Sequence, residues 1–348
     1  MDRSAKRRTP LWARLSIAAG CLLLAPVAVP AAVVLASPTA AVAGPLNFLL
    51  VGIDPRGSHT IPLADTILVA HIPADRHTTY LFSLPRDLVV QIPAFAPTGT
   101  PAQTAKINAA MALGSPVAGG NPSPAQGYTL LSRTVRNVTG IPKFDAGAII
   151  NFGGFQKVVA AMGGVKLAID QDVPSEHRKP DGTPRDRLPS CQAGQKCLRP
   201  YTGPQMLYPK SDKPMRLNAW QSLDFVRQRY GLPRGDYDRQ RHQRQFLTAV
   251  TRKIRSNPAK LLPVMAAAGD SLTVVGGGHS VAEWLRQLKN LSIKDLTTLD
   301  LPGAPLFEAG TYRGEQFPAE VQTFFTAVAE DRVAPFLLAN PNLVQVDR

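Results

Sequence analysis

Four short apolar runs near the start of the chain constrain its fold most. Residues 47–53 (NFLLVGI), 66–72 (TILVAHI), 79–84 (TYLFSL) and 88–92 (LVVQI) are strand-length and bounded by Gly, Pro or Asp. Apolar residues at successive rather than alternate positions leave neither face for water. The runs therefore predict strands of a sheet covered on both sides. Farther on, Leu130, Leu131, Val135 and Val138 have helical spacing, and Gly140 and Pro142 stop the pattern. Residues 146–152 read as a strand, 155–162 as a helix ended by Gly163-Gly164, and 165–169 as a strand. This strand–helix–strand rhythm predicts an α/β fold, a layered α/β/α domain around a central mixed sheet that is partly parallel. Residues 94–105 read as a loop. Residues 170–213 read as a polar, Pro-rich excursion, either a functional lid or a surface feature. Helices are expected at 218–227, 236–255, 281–291 and 319–329, and a strand at 296–301.

The amino terminus points to the compartment. Arg3, Lys6, Arg7 and Arg8 face one acid, Asp2, and an uncharged apolar run follows from 15 to 36. That run is long enough to cross a hydrocarbon core of roughly 30 Å. The positive-inside rule then makes 1–14 a cytoplasmic basic tail and 15–36 a transmembrane helix, with the remainder outside. Pro26 and Pro30 would kink such a helix. Two rivals exist: Ala41-Val42-Ala43 reads as a signal-peptidase site, and Ala19-Gly20-Cys21 as a faint lipoprotein site. All three place the domain outside the cytoplasmic membrane. That domain is expected at 47–335, after a small-residue linker at 37–46 and before a C-terminal tail at 336–348. Export permits a disulfide between Cys191 and Cys197.

With 39 Lys and Arg against 25 Asp and Glu, the net charge is +14, which suggests an anionic partner: nucleic acid, membrane surface or phosphorylated substrate. Aromatics make up 7%, too few for base-stacking platforms. No Cys/His spacing fits a zinc ribbon.

Asp54 ends the first apolar run and Asp65 begins the second. If those strands are neighbours, both carboxylates sit at one end of the sheet. Mg²⁺ accepts such a pair when substrate phosphates complete its shell. Both are equally residues that end strands and shape turns.

A basic cluster comes later: Arg227, Arg229, Arg234, Arg239, Arg241, Arg244 and His242, against Asp236 and Asp238. Such a run is commonly a solvated helix face. On a helical wheel, Phe246 and Val250 lie within about 20° of Arg239, Gln243 about 40° away and His242 about 60° to the other side. Arg239 and His242 are thus expected to face the protein body, and Arg241 and Arg244 the solvent. A guanidinium turned inward is costly unless an anion meets it, and its planar fork suits phosphate. Arg86, at the rigid turn Leu84-Pro85-Arg86-Asp87, and Lys106 are further phosphate candidates. There is no Walker A motif, dinucleotide loop, nucleophile elbow or HExxH. Carboxylates and guanidiniums without a protein nucleophile suggest phosphoryl chemistry, where the protein positions groups and neutralises charge.

Five ordered segments complete the reading: 47–66 (NFLLVGIDPRG…ADT), 83–93 (SLPRDLVVQIP), 106–110 (KINAA), 139–165 and 217–246. Together they resemble the LytR-CpsA-Psr family of cell-wall phosphotransferases. The resemblance implies transfer of a glycopolymer from a polyprenyl-(pyro)phosphate carrier to peptidoglycan, outside the membrane, with Mg²⁺ and without nucleic acid. It assigns Asp54 and Asp65 to the metal. Arg86, Lys106, Arg227, Arg229, Arg239 and His242 are assigned to the pyrophosphate, and Asp65, Arg86 and Arg239 to catalysis. The family often has Arg where this chain has His242, and Ser where it has Ala64. The carrier's tail implies an apolar groove, for which Phe152, Phe155 and Phe246 are candidates, and Asp87 or Asp54 could serve as base. Two alternatives remain: a non-catalytic polyprenyl-phosphate binder and, against the expected export, a nucleic-acid regulator.

Overall fold

Leu46–Ile53 (β1) carries apolar side chains on both faces and can be satisfied only between two layers. In the computed structural model, which describes residues 43–55, 59–188, 199–257, 261–279, 283–284 and 295–347, β1 lies inside a seven-stranded sheet. It pairs antiparallel with Ala64–Ile72 (β2), which pairs with Thr78–Ser83 (β3). On its other side β1 runs parallel to Ala146–Asn151. Beyond β3, Asp295–Asp300 pairs parallel, and Gln345–Val346 closes that edge antiparallel. Leu272–Val275 forms the opposite edge. The sheet is therefore mixed, as expected.

The helices are Ala109–Gly114 (α1), Pro124–Thr139 (α2), Phe152–Ala161 (α3), Ala219–Phe225 (α4), Asp236–Ser256 (α5), Leu261–Ala268 (α6), and two more at Val321–Ala329 and Val333–Ala339. Period-two alternation divides β1 between two cores. Phe48 and Leu50 pack with Val158 and Val159 of α3 and Phe246 and Val250 of α5. Leu49, Val51 and Ile53 pack with Leu130 and Val135 of α2 and with Phe324 and Phe325. Gly140, at φ 68°, ends α2 as the sequence indicates, because only glycine takes a left-handed cap without strain.

Some expectations shift. Residues 88–92 do not join the central sheet: Val89–Ile92 pairs with Gln103–Lys106, so the end of the expected loop is a strand. Val165–Ile169 also leaves the sheet and pairs with Ser211–Leu217. The expected tail boundary at 335 falls inside Val333–Ala339, and the residues beyond supply the edge strand Gln345–Val346. The transmembrane segment 15–36, the pair Cys191 and Cys197, and most of the helix expected at 281–291 lie outside the described residues. Among the described residues no helix is long and apolar enough to cross a membrane.

Candidate functional site

A cavity of about 550 Å³ lies between the sheet and helices α3 and α5, and its lining passes from apolar to charged. The gradient is written along α5. Arg239 lines it in the first turn of α5, Gln243 follows one turn on, and Phe246, Leu247 and Val250 line it deeper. At 1.5 Å per residue, Arg239 and Val250 stand about 16 Å apart along the axis. Leu50, Val51 and Gly52 of β1 and Asp54 just beyond it repeat the gradient, and Phe152, Phe155 and Val158 of α3 add greasy wall. The three phenylalanines expected from sequence all line the cavity.

Asp65 reaches this cavity through an irregularity. Gly52 pairs with Thr66, but Ile53 pairs with Ala64, so Asp65 is the extra residue of a β-bulge. A bulge breaks the strand's alternation and re-aims one side chain. Here it brings the Asp65 carboxylate to Arg86, whose guanidinium donates to it. Arg86 follows β3 across the Pro85 turn, where its carbonyl accepts from the Asn108 amide at 3.1 Å. Burial opposes charge on Arg86, but Asp65, Asp236 and Asp87 outweigh it and hold the pKa above its ordinary value.

Arg239 is balanced the other way. It is 5% exposed, donates to the Asp65 carbonyl at 3.1 Å and pairs with Asp236 at 2.9 Å. Burial drives its pKa down, Asp236 draws it back, and the like charge of Arg86 opposes it again. Its Nε and that of Arg86 are buried and have no hydrogen-bond partner among the described residues. Arg86 Nε has carboxylates only at ion-pair distance, Asp87 at 3.7 Å and Asp236 at 3.9 Å, so both Nε groups keep a donor that an anionic ligand could use.

Arg227, Gln228 and Arg229 reach the cavity from the chain after α4, and the buried Gln228 donates to Asp224 at 2.8 Å. Arg227 stacks on Phe152 at 4.2 Å and lies 3.7 Å from Asp54, and Arg229 stacks on Tyr230 at 4.7 Å. Among the described residues six arginines and three carboxylates line the cavity, a surplus of three positive charges. An anionic ligand relieves that surplus.

Asp54, Asp65, Arg86, Arg227, Arg229 and Arg239 are thus brought together, and two expected contacts are not. Lys106 does not line the cavity: it pairs with Asp87 at 3.1 Å, because its strand belongs to the separate Val89–Ile92 ladder. His242 also does not line it. The roughly 60° between it and Arg239 on the wheel turns His242 under α4, where its ring meets Phe225 at 4.6 Å and Nε2 faces Asp170 at 3.4 Å. The expectation that Arg244 faces solvent is wrong. It is 1% exposed and bonded to Asp300 and Asp347, partners distant in sequence.

The excursion 170–213 is ordered in its described parts by short ladders, Val173–Pro174 with Leu207–Tyr208 and Asp186–Arg187 with Tyr201–Thr202. The Glu176 amide donates to Gln228 at 2.8 Å, which fixes its base beside the arginine segment. The excursion adds Glu176, His177, Arg187, Arg199 and Tyr201 to the lining, none of which spacing could reveal. Asp236 was more legible, three residues before Arg239 on one helix.

His177 gives the site a pH signature. Desolvation first, then Arg227, Arg178, Arg185 and Arg229, lower its pKa to about 4. The unfolded imidazole titrates near 6.5. Stability linked to this group is therefore intact above pH 6.5 and falls as pH drops toward 4, where the unfolded chain alone takes up the proton. The His177 ring resonance should titrate near pH 4, and bound inorganic pyrophosphate should move the midpoint upward by offsetting the arginines. A midpoint near 6.5, unmoved by pyrophosphate, would contradict this electrostatic picture.

Among the described residues no three or more metal-capable side chains cluster. Asp54 and Asp65 share the cavity and offer hard carboxylate oxygens, a donor set that suits Mg²⁺ when ligand phosphates supply the other oxygens.

A model of the LytR_cpsA_psr family matches residues 30–326. Biofilm regulatory protein A of Streptococcus mutans is 26% identical over 216 residues, 60% of this chain and 44% of that protein. The polyisoprenyl-teichoic acid–peptidoglycan teichoic acid transferase TagU of Enterococcus faecalis is 27% identical over 233 residues, 66% of this chain and 60% of that protein. The chain thus spans about half the length of these curated relatives. The crystal structure of protein gbs0355 from Streptococcus agalactiae shares the fold, with a TM-score of 0.61 at 21% identity over 82% of this chain and 88% of that one. The family model covers most of the chain, both apolar walls and every arginine of the cavity included, and the chain belongs to the LytR-CpsA-Psr family.

Proposed function

We propose that this chain is a phosphotransferase that moves a glycopolymer, as its phosphoglycosyl unit, from a polyprenyl-pyrophosphate carrier to peptidoglycan. The observation that carries the reading is the cavity's polarity. Unpartnered buried guanidinium donors stand at one end and a greasy channel runs from them between sheet and helices. A lipid diphosphate has the same two ends. The name of the TagU relative describes this class of transfer. The apolar run 15–36 would anchor the chain by a single pass, with the domain on the outer face of the membrane.

In the reaction a peptidoglycan hydroxyl oxygen bonds to the sugar-side phosphorus. The bond from that phosphorus to the bridging oxygen breaks, and polyprenyl phosphate leaves with the electron pair. Arg86 and Arg239 stabilise the charge that grows on the leaving phosphate, as donors already held in place by Asp65 and Asp236. Arg227 and Arg229 hold the diphosphate across the cavity. Asp54 and Asp65 would hold Mg²⁺, which supplies further neutralisation of the diphosphate when bound. Both bases considered face a cation, Asp54 with Arg227 at 3.7 Å and Asp87 with Lys106 at 3.1 Å, and Asp54, the one that lines the cavity, is the one placed to receive the hydroxyl proton.

The test combines the purified chain, a polyprenyl-pyrophosphate-linked glycan, peptidoglycan and Mg²⁺. Wild type should attach the glycan covalently to peptidoglycan and release polyprenyl phosphate, and a chelator should suppress this. Asp65→Ala should transfer at least about tenfold more slowly, which corresponds to about 1.4 kcal/mol of lost transition-state stabilisation. Absence of transfer by wild type, with tight metal-independent lipid binding, would favour the non-catalytic binder.

A further inference from the structure

Two aromatic rings stand in solvent outside the cavity. Phe307 is 58% exposed and Tyr312 43%. They face each other across the hairpin formed by Ala304–Glu308 and Thr311–Gln316, with centroids 5.9 Å apart. The hairpin turns at Ala309 and Gly310, both left-handed at φ 48° and 74°, the geometry of a tight primed turn. A left-handed Ala is uncommon, and here the two-residue turn requires it.

The second strand of the hairpin is joined to the elements that carry the candidate site. The Glu315 amide donates to the Asp87 carbonyl at 2.8 Å, next to Arg86. A Cβ on Gly314 would meet that same carbonyl at 2.3 Å, so glycine is required for this approach. The Glu315 carboxylate accepts from Tyr237 at 2.8 Å, one residue from Asp236 in α5, and from Tyr312 at 2.7 Å. Lys106 Nζ lies 5.1 Å above the Tyr312 ring while pairing with Asp87. The aromatic pair is thus tied to the turn of Arg86, the start of α5 and the strand of Lys106.

Its size and composition indicate the occupant. Two rings are too small for a stable protein interface, which needs about 800 Å² on each partner. They are also rimmed by a carboxylate, an ammonium and two phenol hydroxyls. The apolar surface suited to a lipid tail lies instead in the cavity. A pyranose matches the rings: its C–H face packs on an aromatic face while its hydroxyls meet Glu315 and Lys106.

We propose that this hairpin face is the docking surface for the acceptor glycan strand, positioning a sugar hydroxyl toward Arg86 and the cavity. The assignment rests on the transfer reaction proposed above. It gives Lys106 a different task from the expected one, contact with acceptor hydroxyls rather than with the diphosphate.

The test uses the full chain with Phe307→Ser and Tyr312→Ser, and with Leu338→Ser, an exposed apolar position elsewhere, as control. A soluble oligomer of β-1,4-linked N-acetylglucosamine serves as binding probe, and transfer is followed with lipid-linked donor and peptidoglycan. The ring variants should weaken probe binding and raise the acceptor KM by about tenfold, with the donor KM and the rate at saturating acceptor unchanged. Leu338→Ser should match wild type. An acceptor KM unaffected by the ring variants, or a donor KM raised in parallel, overturns the surface while leaving the transfer reaction standing. Probe binding that depends on Phe307 in a chain that transfers nothing supports the surface and removes the transfer reaction instead.

Discussion

Arg239→Ala is expected to slow glycopolymer transfer by roughly 10²–10³-fold, the loss typical of removing one preorganised donor from a developing anion. Three observations set the size of the effect. The side chain is buried, so a low local dielectric strengthens its interaction with phosphate. Its position is fixed through Nη2, which meets both the Asp65 carbonyl and the Asp236 carboxylate. Its Nε is a buried donor with no partner among the described residues. Arg239→Lys should rescue little, because an ammonium is a single nitrogen without the planar fork and Nε donor that grip a phosphate in two places. Single-turnover transfer of a lipid-linked glycan, compared with thermal unfolding of the same samples, separates chemistry from folding. Transfer within threefold of wild type by a folded Arg239→Ala would remove this residue from the mechanism.

Arg244→Ala is expected to destabilise the domain by about 3–5 kcal/mol, the cost of breaking a buried ion pair from one side. Arg244 donates to Asp347 at 2.5 Å, to Asp300 at 2.8 Å and to Ser83 at 3.1 Å. It thereby ties α5 to β3, to the strand Asp295–Asp300 and to the last residues described. Without it Asp347, 5% exposed at its side chain, keeps a carboxylate desolvated and unpaired. Asp300 keeps Arg234 at 2.6 Å, which places the expected loss within that range rather than above it. The readout is the denaturant midpoint at unchanged slope. A loss below 1 kcal/mol would mean that the network is open to water. Arg244 does not line the cavity, so at low temperature the variant's transfer rate should stay close to wild type.

These two arginines sit five residues apart on one helix and show where sequence suffices. The consecutive apolar runs alone implied a sheet buried on both faces, because alternation along β1 leaves no side for water. The spacing of Arg239, Phe246 and Val250 alone implied one helix face that begins charged and ends greasy, because helical periodicity is local. Asp54 and Asp65 could be placed together because they flank the connection between two strands that pair antiparallel. The partners of Arg244 were decided by the tertiary structure: Asp300 and Asp347 arrive from segments distant in sequence, and their packing turned an apparently solvated arginine into a buried one. The same holds for His242, which α4 covers. It holds also for His177 and Arg199, which reach the cavity because the ladders of the excursion return beside Gln228. A periodic pattern records which face of an element is apolar. Only long-range pairing decides which neighbour that face meets, and so which charges end in the site and which are locked in the core.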